Sequence, residues 1–352
     1  MIVHTWHDDE TSPRTRGRRF GTRWADNVAG AWRDYSTLFA ARGVADVEGL
    51  GIALLDALRE WAPYLADELV GIAEGARLPL GRVAALTGRT EILARAGVPA
   101  TECSTGVYLP PDGGPPHTVQ TWDWLTTVAN ETVVLDIPGP DGRRVRTFTE
   151  FGVLGKIGAT RGLGVHFNIL GHVSDGGAPG VPVHAVARRI LDEATGVDDA
   201  LALARSARVS ASSAITVIEP GRAATLEVAP AGVAVVGPGP DGALLHTNDF
   251  LDAELAAGNV VEPSSTSSAR YRWLATHGDA LRLADARERA AAFGVDAATG
   301  VRGPVCMAPA AGAPLVDAYE TKLTIALDVV TGNLSYVAGS PADVPNRAWV
   351  TA

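Results

Sequence analysis

Glu102-Cys103-Ser104-Thr105-Gly106-Val107-Tyr108 is the stretch on which the reading of this chain turns, with Gln120-Thr121-Trp122-Asp123-Trp124 close behind it. A cysteine at the head of a strand-like run, followed by a polar and aromatic strand carrying an acid, suits a chain that is cut before the cysteine. Such a cut leaves one residue holding both a thiol nucleophile and, in its free α-amine, a base. Taken alone, Cys103 is weak evidence, because free cysteine is among the most buried residue types and usually behaves as a small hydrophobe.

Upstream of this stretch, residues from about 20 to 100 read as helical. Trp24, Val28, Trp32, Tyr35 and Leu38 recur at three- and four-residue steps, as do Leu54, Leu58, Trp61, Leu65, Leu69 and Ile72. Pro79 and Gly81 interrupt the pattern, and Gly97, Val98 and Pro99 form a breaker just before the cysteine. Downstream the pattern changes to short β-like runs at Thr118 to Trp124, Thr132 to Ile137, Val145 to Phe151 and Leu163 to Ile169. Turn-rich segments such as Pro110-Pro111-Asp112-Gly113-Gly114 separate them. Helices are expected at about Val183 to Glu193 and Val197 to Ala207, followed by strands at Ala214–Glu219, Ala223–Val228, Gly232–Val236 and Leu244–Thr247. A helical stretch from Ser267 through Ala292 and strands at Thr321–Val329 and Gly332–Ala338 complete the chain. Two sheets packed face to face, with helices outside, accommodate this order.

Composition sets bounds around that core. With 352 residues, 46% hydrophobic and 20% charged, the chain has enough apolar surface for one large layered unit, and no long linker divides it. A net charge of −10 argues against nonspecific nucleic-acid binding, which needs basic surface against phosphates. No apolar stretch reaches the length of a membrane span and the polar N-terminus has no signal-peptide pattern, so a cytoplasmic location without membrane attachment is the expectation. Cys103 and Cys306, the only cysteines, read as free thiols. The run Arg14-Thr15-Arg16-Gly17-Arg18-Arg19 reads as a solvated stretch. The two lysines, Lys156 and Lys322, among thirty basic residues read as coding bias. His4 and His7 beside Asp8, Asp9 and Glu10 have metal-ligand residue types, but an acidic N-terminal tail is expected to fray rather than form a cage. The remaining histidines are scattered, and no metal or cofactor motif appears.

Several ordered stretches carry a wider likeness. They are Tyr64-Leu65-Ala66-Asp67-Glu68-Leu69 through Glu91, the Cys103 and Trp-Asp-Trp region, Thr149 to Gly158 with Gly164-Val165-His166-Phe167-Asn168, Gly180 to His184, His246-Thr247-Asn248-Asp249-Phe250, and Ser267-Ser268-Ala269-Arg270-Tyr271. Through them the chain resembles the acyl-coenzyme A:6-aminopenicillanic acid acyltransferase family, the autoproteolytic C45 group of N-terminal-nucleophile hydrolases, over nearly its whole length. The resemblance implies an α+β fold, the four-layer αββα sandwich, with residues 1–102 a mainly helical pro-segment that becomes the α chain. Residues 103–352 would be the catalytic domain and β chain, beginning at the nucleophile.

The resemblance also implies chemistry. Cys103 would attack the carbonyl of Glu102, shift the acyl group from nitrogen to sulfur, and be released by water as a new N-terminus. Its α-amine, with an ordinary pKa of about 7.7–8.0, would then serve as base toward its own thiol. A substrate thioester on Cys103 would be resolved by water or by an amine. Asp123 matches the family's acid and is expected to balance the α-amine and Arg270, because a buried carboxylate without a cation is costly. Asn248 matches an asparagine whose N–H can face an oxyanion. Thr105, two residues beyond Cys103 on the same side of a strand, Ser213 and Ser267 are expected in support, with Ser267 or Ser268 as a helix N-cap. The fungal members are cut after glycine, and the β-carbon of Glu102 predicts slower cleavage here.

The expected substrates are a small linear amide or an acyl thioester, with water or an amine as acceptor and no cofactor. An uncleaved, noncatalytic homologue binding an acyl or peptide-like ligand is the alternative, faintly favoured by Glu102. A papain-like protease would need a histidine and an asparagine around Cys103.

Overall fold

The β-like runs that follow Cys103 fold into two sheets laid face to face. The computed structural model describes residues 1–97, 103–262, 264–296, 298–309, 312 and 318–352, so Glu102, the expected acyl donor, lies outside the described residues. The chain begins with β1 (Ile2–His7) and continues through α1 (Pro13–Arg23), α2 (Ala25–Ala41), α3 (Val47–Trp61), α4 (Pro63–Ala76), α5 (Leu80–Thr87) and α6 (Arg89–Arg95). Then come β2 (Cys103–Tyr108), β3 (His117–Leu125), β4 (Glu131–Pro138), β5 (Arg144–Glu150), β6 (Ile157–Thr160) and β7 (Leu163–Leu170). After α7 (Val183–Glu193) and α8 (Val197–Ser206) follow β8 (Ser212–Glu219), β9 (Arg222–Ala229), β10 (Gly232–Val236) and β11 (Ala243–His246). The C-terminal part contains α9 (Ala253–Ala256), α10 (Ser267–Thr276), α11 (Ala286–Gly294), β12 (Tyr319–Asp328), β13 (Asn333–Ala338) and β14 (Val350–Thr351).

An eight-stranded sheet runs β1-β4-β5-β6-β7-β8-β9-β10 and a six-stranded sheet runs β11-β2-β3-β12-β13-β14. Their facing sides bury Gln120, Trp122, Phe148, Asn168, Leu323, Ile325 and Leu327. α7 and α8 lie against β6 to β10 on one outer face, while α10 and α11 lie against β2, β3, β11 and β12 on the other. This is the αββα sandwich that the resemblance implies. The expected helix over 267–292 is divided into α10, a 3-10 turn over Gly278–Arg282, and α11.

The N-terminal helices extend the layer formed by α7 and α8. Gly17 and Gly21 of α1 face Gly71 and Gly75 of α4 at four-residue spacing. A β-carbon at any of the four would run into a backbone carbonyl oxygen of the facing helix. The tight crossing places Arg16 on Glu68 at 2.6 Å, and Arg188 of α7 joins both Glu68 and Asp192. Arg16 is therefore buried, contrary to the expectation of a solvated basic run, because the crossing brings an acid over it.

The N-terminus also departs from expectation. Residues 2–7 do not fray but form β1, which pairs in parallel with β4, Ile2 opposite Glu131 and His7 opposite Asp136. His4 and His7 bond those same acids at 2.8 and 3.1 Å, so cross-strand pairing occupies the residue types that resembled metal ligands. The N-terminal segment thus contributes a strand to the larger sheet as well as helices to the outer layer.

Candidate active site

Cys103 opens β2, whose side chains alternate between the two faces of its sheet. Thr105 Oγ1 donates to Asn168 Oδ1 of β7 at 2.7 Å, across the gap between the sheets, so Cys103 and Thr105 share the inner face. Ser104 faces outward toward α10. The thiol-bearing residue is 1% exposed.

Both backbone groups of Cys103 are held by side chains. Its N–H donates to Asn248 Oδ1 at 2.8 Å, and its carbonyl accepts from Arg270 Nη1. Arg270 also donates to Ser104 Oγ at 2.9 Å, to Asn248 Oδ1 at 2.8 Å and, through Nε, to Thr266 Oγ1 at 2.9 Å. Burial pulls this guanidinium down from its ordinary value to about 9, and it remains cationic at neutral pH. Asn248 Nδ2 donates to the Ile169 carbonyl at 2.8 Å, which fixes the direction of the amide. The oxyanion-facing N–H expected of Asn248 is thus directed in part to Ile169, and its oxygen faces the Cys103 nitrogen.

The loop carrying Asn248 is anchored from two sides. Ser267 Oγ accepts from Asn248 N at 2.9 Å and bonds Thr247 Oγ1 at 3.0 Å. Ser267 is the first residue of α10, and Thr266 occupies the N-cap position. From β9, the buried Glu227 takes His246 Nε2 at 2.8 Å, Leu251 N at 2.6 Å and Asp252 N at 3.0 Å. A single carboxylate therefore shapes the turn from strand to loop.

Two expected site residues lie elsewhere. Cys103 stands opposite Trp122 in the β2–β3 register, so Trp122 is on the inner face and Asp123 on the outer one. Asp123 is fully buried opposite Thr321, forms no ion pair with Arg270, and, among the described residues, neither carboxylate oxygen has a hydrogen-bond partner. Burial drives its pKa up to about 8, against a small lowering from Thr321. The expected balance of charge between Asp123 and Arg270 is absent. Ser213 pairs with Ile169 on the face of the larger sheet turned toward the helices, because Asn168 beside Ile169 is the residue that turns inward. Cys103, Thr105, Asn248, Arg270 and Ser267 come together; Asp123 and Ser213 do not join them.

Sequence reasoning missed the groups on the inner face. Gln120 donates to the Phe167 carbonyl at 2.6 Å and meets His166 Nδ1 at 2.9 Å; burial holds that imidazole down at about 3, neutral. Lys156 Nζ lies 3.7 Å from the centroid of the Trp122 ring and 3.5 Å from Glu150 Oε1. Glu150 is further bonded by Arg89 and by the Tyr35 hydroxyl, which accepts from Trp124 Nε1 at 2.7 Å. Burial would raise the Glu150 carboxyl, but Arg89 and Lys156 hold it down at about 2. The signal available in the sequence was a lysine inside an apolar, glycine-flanked run of a chain whose basic residues, Lys322 apart, are otherwise arginines.

The sequence profile described as acyl-coenzyme A:6-aminopenicillanic acid acyl-transferase matches residues 111–288, just over half of the chain. That stretch contains Asp123, Lys156, Asn248 and Arg270 and begins after Cys103. The 40 kDa form of the acyl-coenzyme A:6-aminopenicillanic-acid-acyltransferase of Emericella nidulans is 27% identical over 228 residues. The match spans 64% of this chain and 63% of that relative's length. Among solved structures, a conjugated bile acid hydrolase variant from Clostridium perfringens aligns with a TM-score of 0.49 at 12% identity, covering 71% of this chain and 92% of the other. The Caenorhabditis elegans ortholog of N-acylethanolamine-hydrolyzing acid amidase aligns with a TM-score of 0.43 at 13% identity, covering 65% and 93%. The chain belongs to the acyl-coenzyme A:6-aminopenicillanic acid acyltransferase family.

Proposed function

We propose that the protein is a self-processing cysteine amidohydrolase or N-acyltransferase, cut between Glu102 and Cys103, that forms or cleaves a small linear amide through a thioester on Cys103. The observation that carries this reading is the double hold on the Cys103 backbone, with Asn248 on the nitrogen and Arg270 on the carbonyl. The ladder with β11 stops at Thr105, so these two side chains satisfy buried backbone groups of Cys103, and they do so with an amide oxygen on the nitrogen that cleavage would free and a cation on the carbonyl. A thiol 1% exposed in the intact chain is also better placed to attack its own chain than an outside substrate.

In the first stage the Cys103 sulfur bonds to the carbonyl carbon of residue 102, the carbon–nitrogen bond breaks, and the nitrogen gains a proton. Water then hydrolyses the thioester, leaving a carboxylate on residue 102 and a free α-amine on Cys103. Asn248 Oδ1 is the acceptor that orients this amine, and Ser267 steadies Asn248. In the second stage the thiolate attacks the substrate acyl carbon and the leaving amine takes a proton. Water yields hydrolysis and an amine yields acyl transfer. Thr105, on the same face as the thiol, is a support for the bound acyl group. α and β chains of one precursor would form the working enzyme, with no cofactor in either stage.

Intact mass of the denatured wild type beside Cys103→Ala and Cys103→Ser tests the first stage. Pieces 1–102 and 103–352 from the wild type, and an uncut Cys103→Ala chain, are expected. A wild type that stays whole after long incubation would favour the uncleaved homologue. A panel of short amides and acyl thioesters with hydroxylamine trapping tests the second stage, and no hydroxamate or product from any donor class would remove the enzyme reading.

A further inference from the structure

The proposed self-cleavage leaves one proton without an acceptor. The α-amine that would serve the mature enzyme does not exist until the bond before Cys103 is broken, so the precursor thiol needs a different base. Two buried basic side chains lie on the thiol's side of the sheet, His166, which burial holds at about 3, and Lys156. Its Nζ lies over the face of Trp122, and Trp122 stands directly opposite Cys103 on the same inner face. The chain's other lysine, Lys322, donates to Asn130 Oδ1 at 2.9 Å and Glu320 Oε1 at 3.1 Å, whereas Lys156 meets Glu150 only at 3.5 Å.

We propose, on the self-processing reading above, that Lys156 is the base of the first cut: its neutral amine takes the Cys103 thiol proton and, as ammonium, returns it to the Cys103 nitrogen when the peptide bond breaks. The sulfur–carbon bond forms as the carbon–nitrogen bond is lost, and Lys156 ends neutral as it began. No outside oxidant or co-reactant is consumed, and the water of the second step enters only to open the thioester.

The surroundings of Lys156 fit this task. Glu150 at the end of β5 faces it, Arg89 of α6 lies behind Glu150, Cys103 of β2 lies within electrostatic reach, and His184 of α7 is close enough to feel its charge. Burial lowers the lysine, Glu150 raises it, Arg89 lowers it again, and a Cys103 thiolate raises it, leaving it at about 7. An amine so placed is substantially neutral near pH 7 and is recharged by the proton it accepts. Below that value it is an ammonium and accepts nothing, so cleavage should rise with pH through about 7.

The test is a time course of intact mass across pH for wild type, Lys156→Met and Lys156→Arg, with precursor isolated below pH 7 and then shifted upward. Wild-type cleavage is expected to climb through about pH 7. Both variants should cut at least about 100-fold more slowly, the lower end of the range for a lost general base, and lose that inflection. Lys156→Arg keeps a cation against Glu150, so it separates proton transfer from folding should Lys156→Met fail to fold. Alkylation of Cys103 by iodoacetamide, with Cys306 as reference thiol, should show the same pH dependence in wild type and lose it in Lys156→Arg. Equal cleavage and alkylation profiles in wild type and Lys156→Arg would overturn the role of Lys156 while leaving self-processing intact. A wild type that never cuts would remove both.

Discussion

Glu150, at the end of β5, and Asp123, inside β3, are both fully buried acids, and they reach opposite charge states. Burial pushes both carboxyls up, since a charge is poorly solvated away from water. Glu150 meets Arg89, Lys156 and the Tyr35 hydroxyl and is held at about 2; Asp123 meets no cation and rises to about 8. At neutral pH one is a carboxylate in an ion network and the other a neutral acid. Residue type and depth do not decide the charge of a buried acid; the cation beside it does.

The hardest way to break the comparison is to remove that cation. Arg89→Met leaves the Glu150 carboxylate with only the more distant Lys156 as a cation, and urea unfolding at neutral pH should register a loss of about 3 kcal/mol, the lower end for breaking one side of a buried pair. Tyr35→Phe is expected to be milder, about 1.5–3 kcal/mol by the same assay, since it removes one hydrogen bond to a charged group and leaves Trp124 Nε1 without its acceptor. Asp123→Asn should be the smallest, about 1 kcal/mol or less at neutral pH, because one neutral polar group replaces another in a site without partners.

The pH dependence sharpens the contrast because its sign differs between the two acids. Glu150, lowered on folding, stabilises fully above its ordinary value and loses that contribution as pH falls through about 2. Asp123, raised on folding, stabilises fully below its ordinary value and loses that contribution as pH rises through about 8. The advantage of wild type over Asp123→Asn in melting should therefore shrink as pH rises from the ordinary carboxyl range of about 4 toward about 8, and parallel curves for the two proteins across that range would contradict a neutral Asp123.

Much of the fold was legible because it follows from local periodicity. Val183–Glu193 and Gly232–Val236 appear with the bounds that their sequence suggests, and the four strands expected between 117 and 170 agree within a residue or two, while the short β6 between them was not foreseen. Residues 2–7 did not read as a strand, because their partner lies more than a hundred residues away in β4 and their polar composition signals exposure. Cys103, Thr105, Asn248 and Arg270 were legible through residue type and resemblance. Asp123 illustrates where that stops. Alternation along β3 was readable, but which β3 residue stands opposite Cys103 was not, and one residue of register decides the face.

Lys156 carried only a faint sequence signal, for a related reason. From the sequence Lys156 reads as a product of coding bias, and only the inter-sheet packing carries its amine over Trp122 and beside Glu150. By itself the sequence determined the two-sheet α+β architecture, the family and the candidate nucleophile, because periodicity and motif order are properties of the linear chain. The tertiary structure alone decided which acid is charged, which side chains hold the backbone of Cys103, and which basic group lies over the ring opposite it. Strand register, burial and the distance between opposite charges exist only once remote segments are packed together.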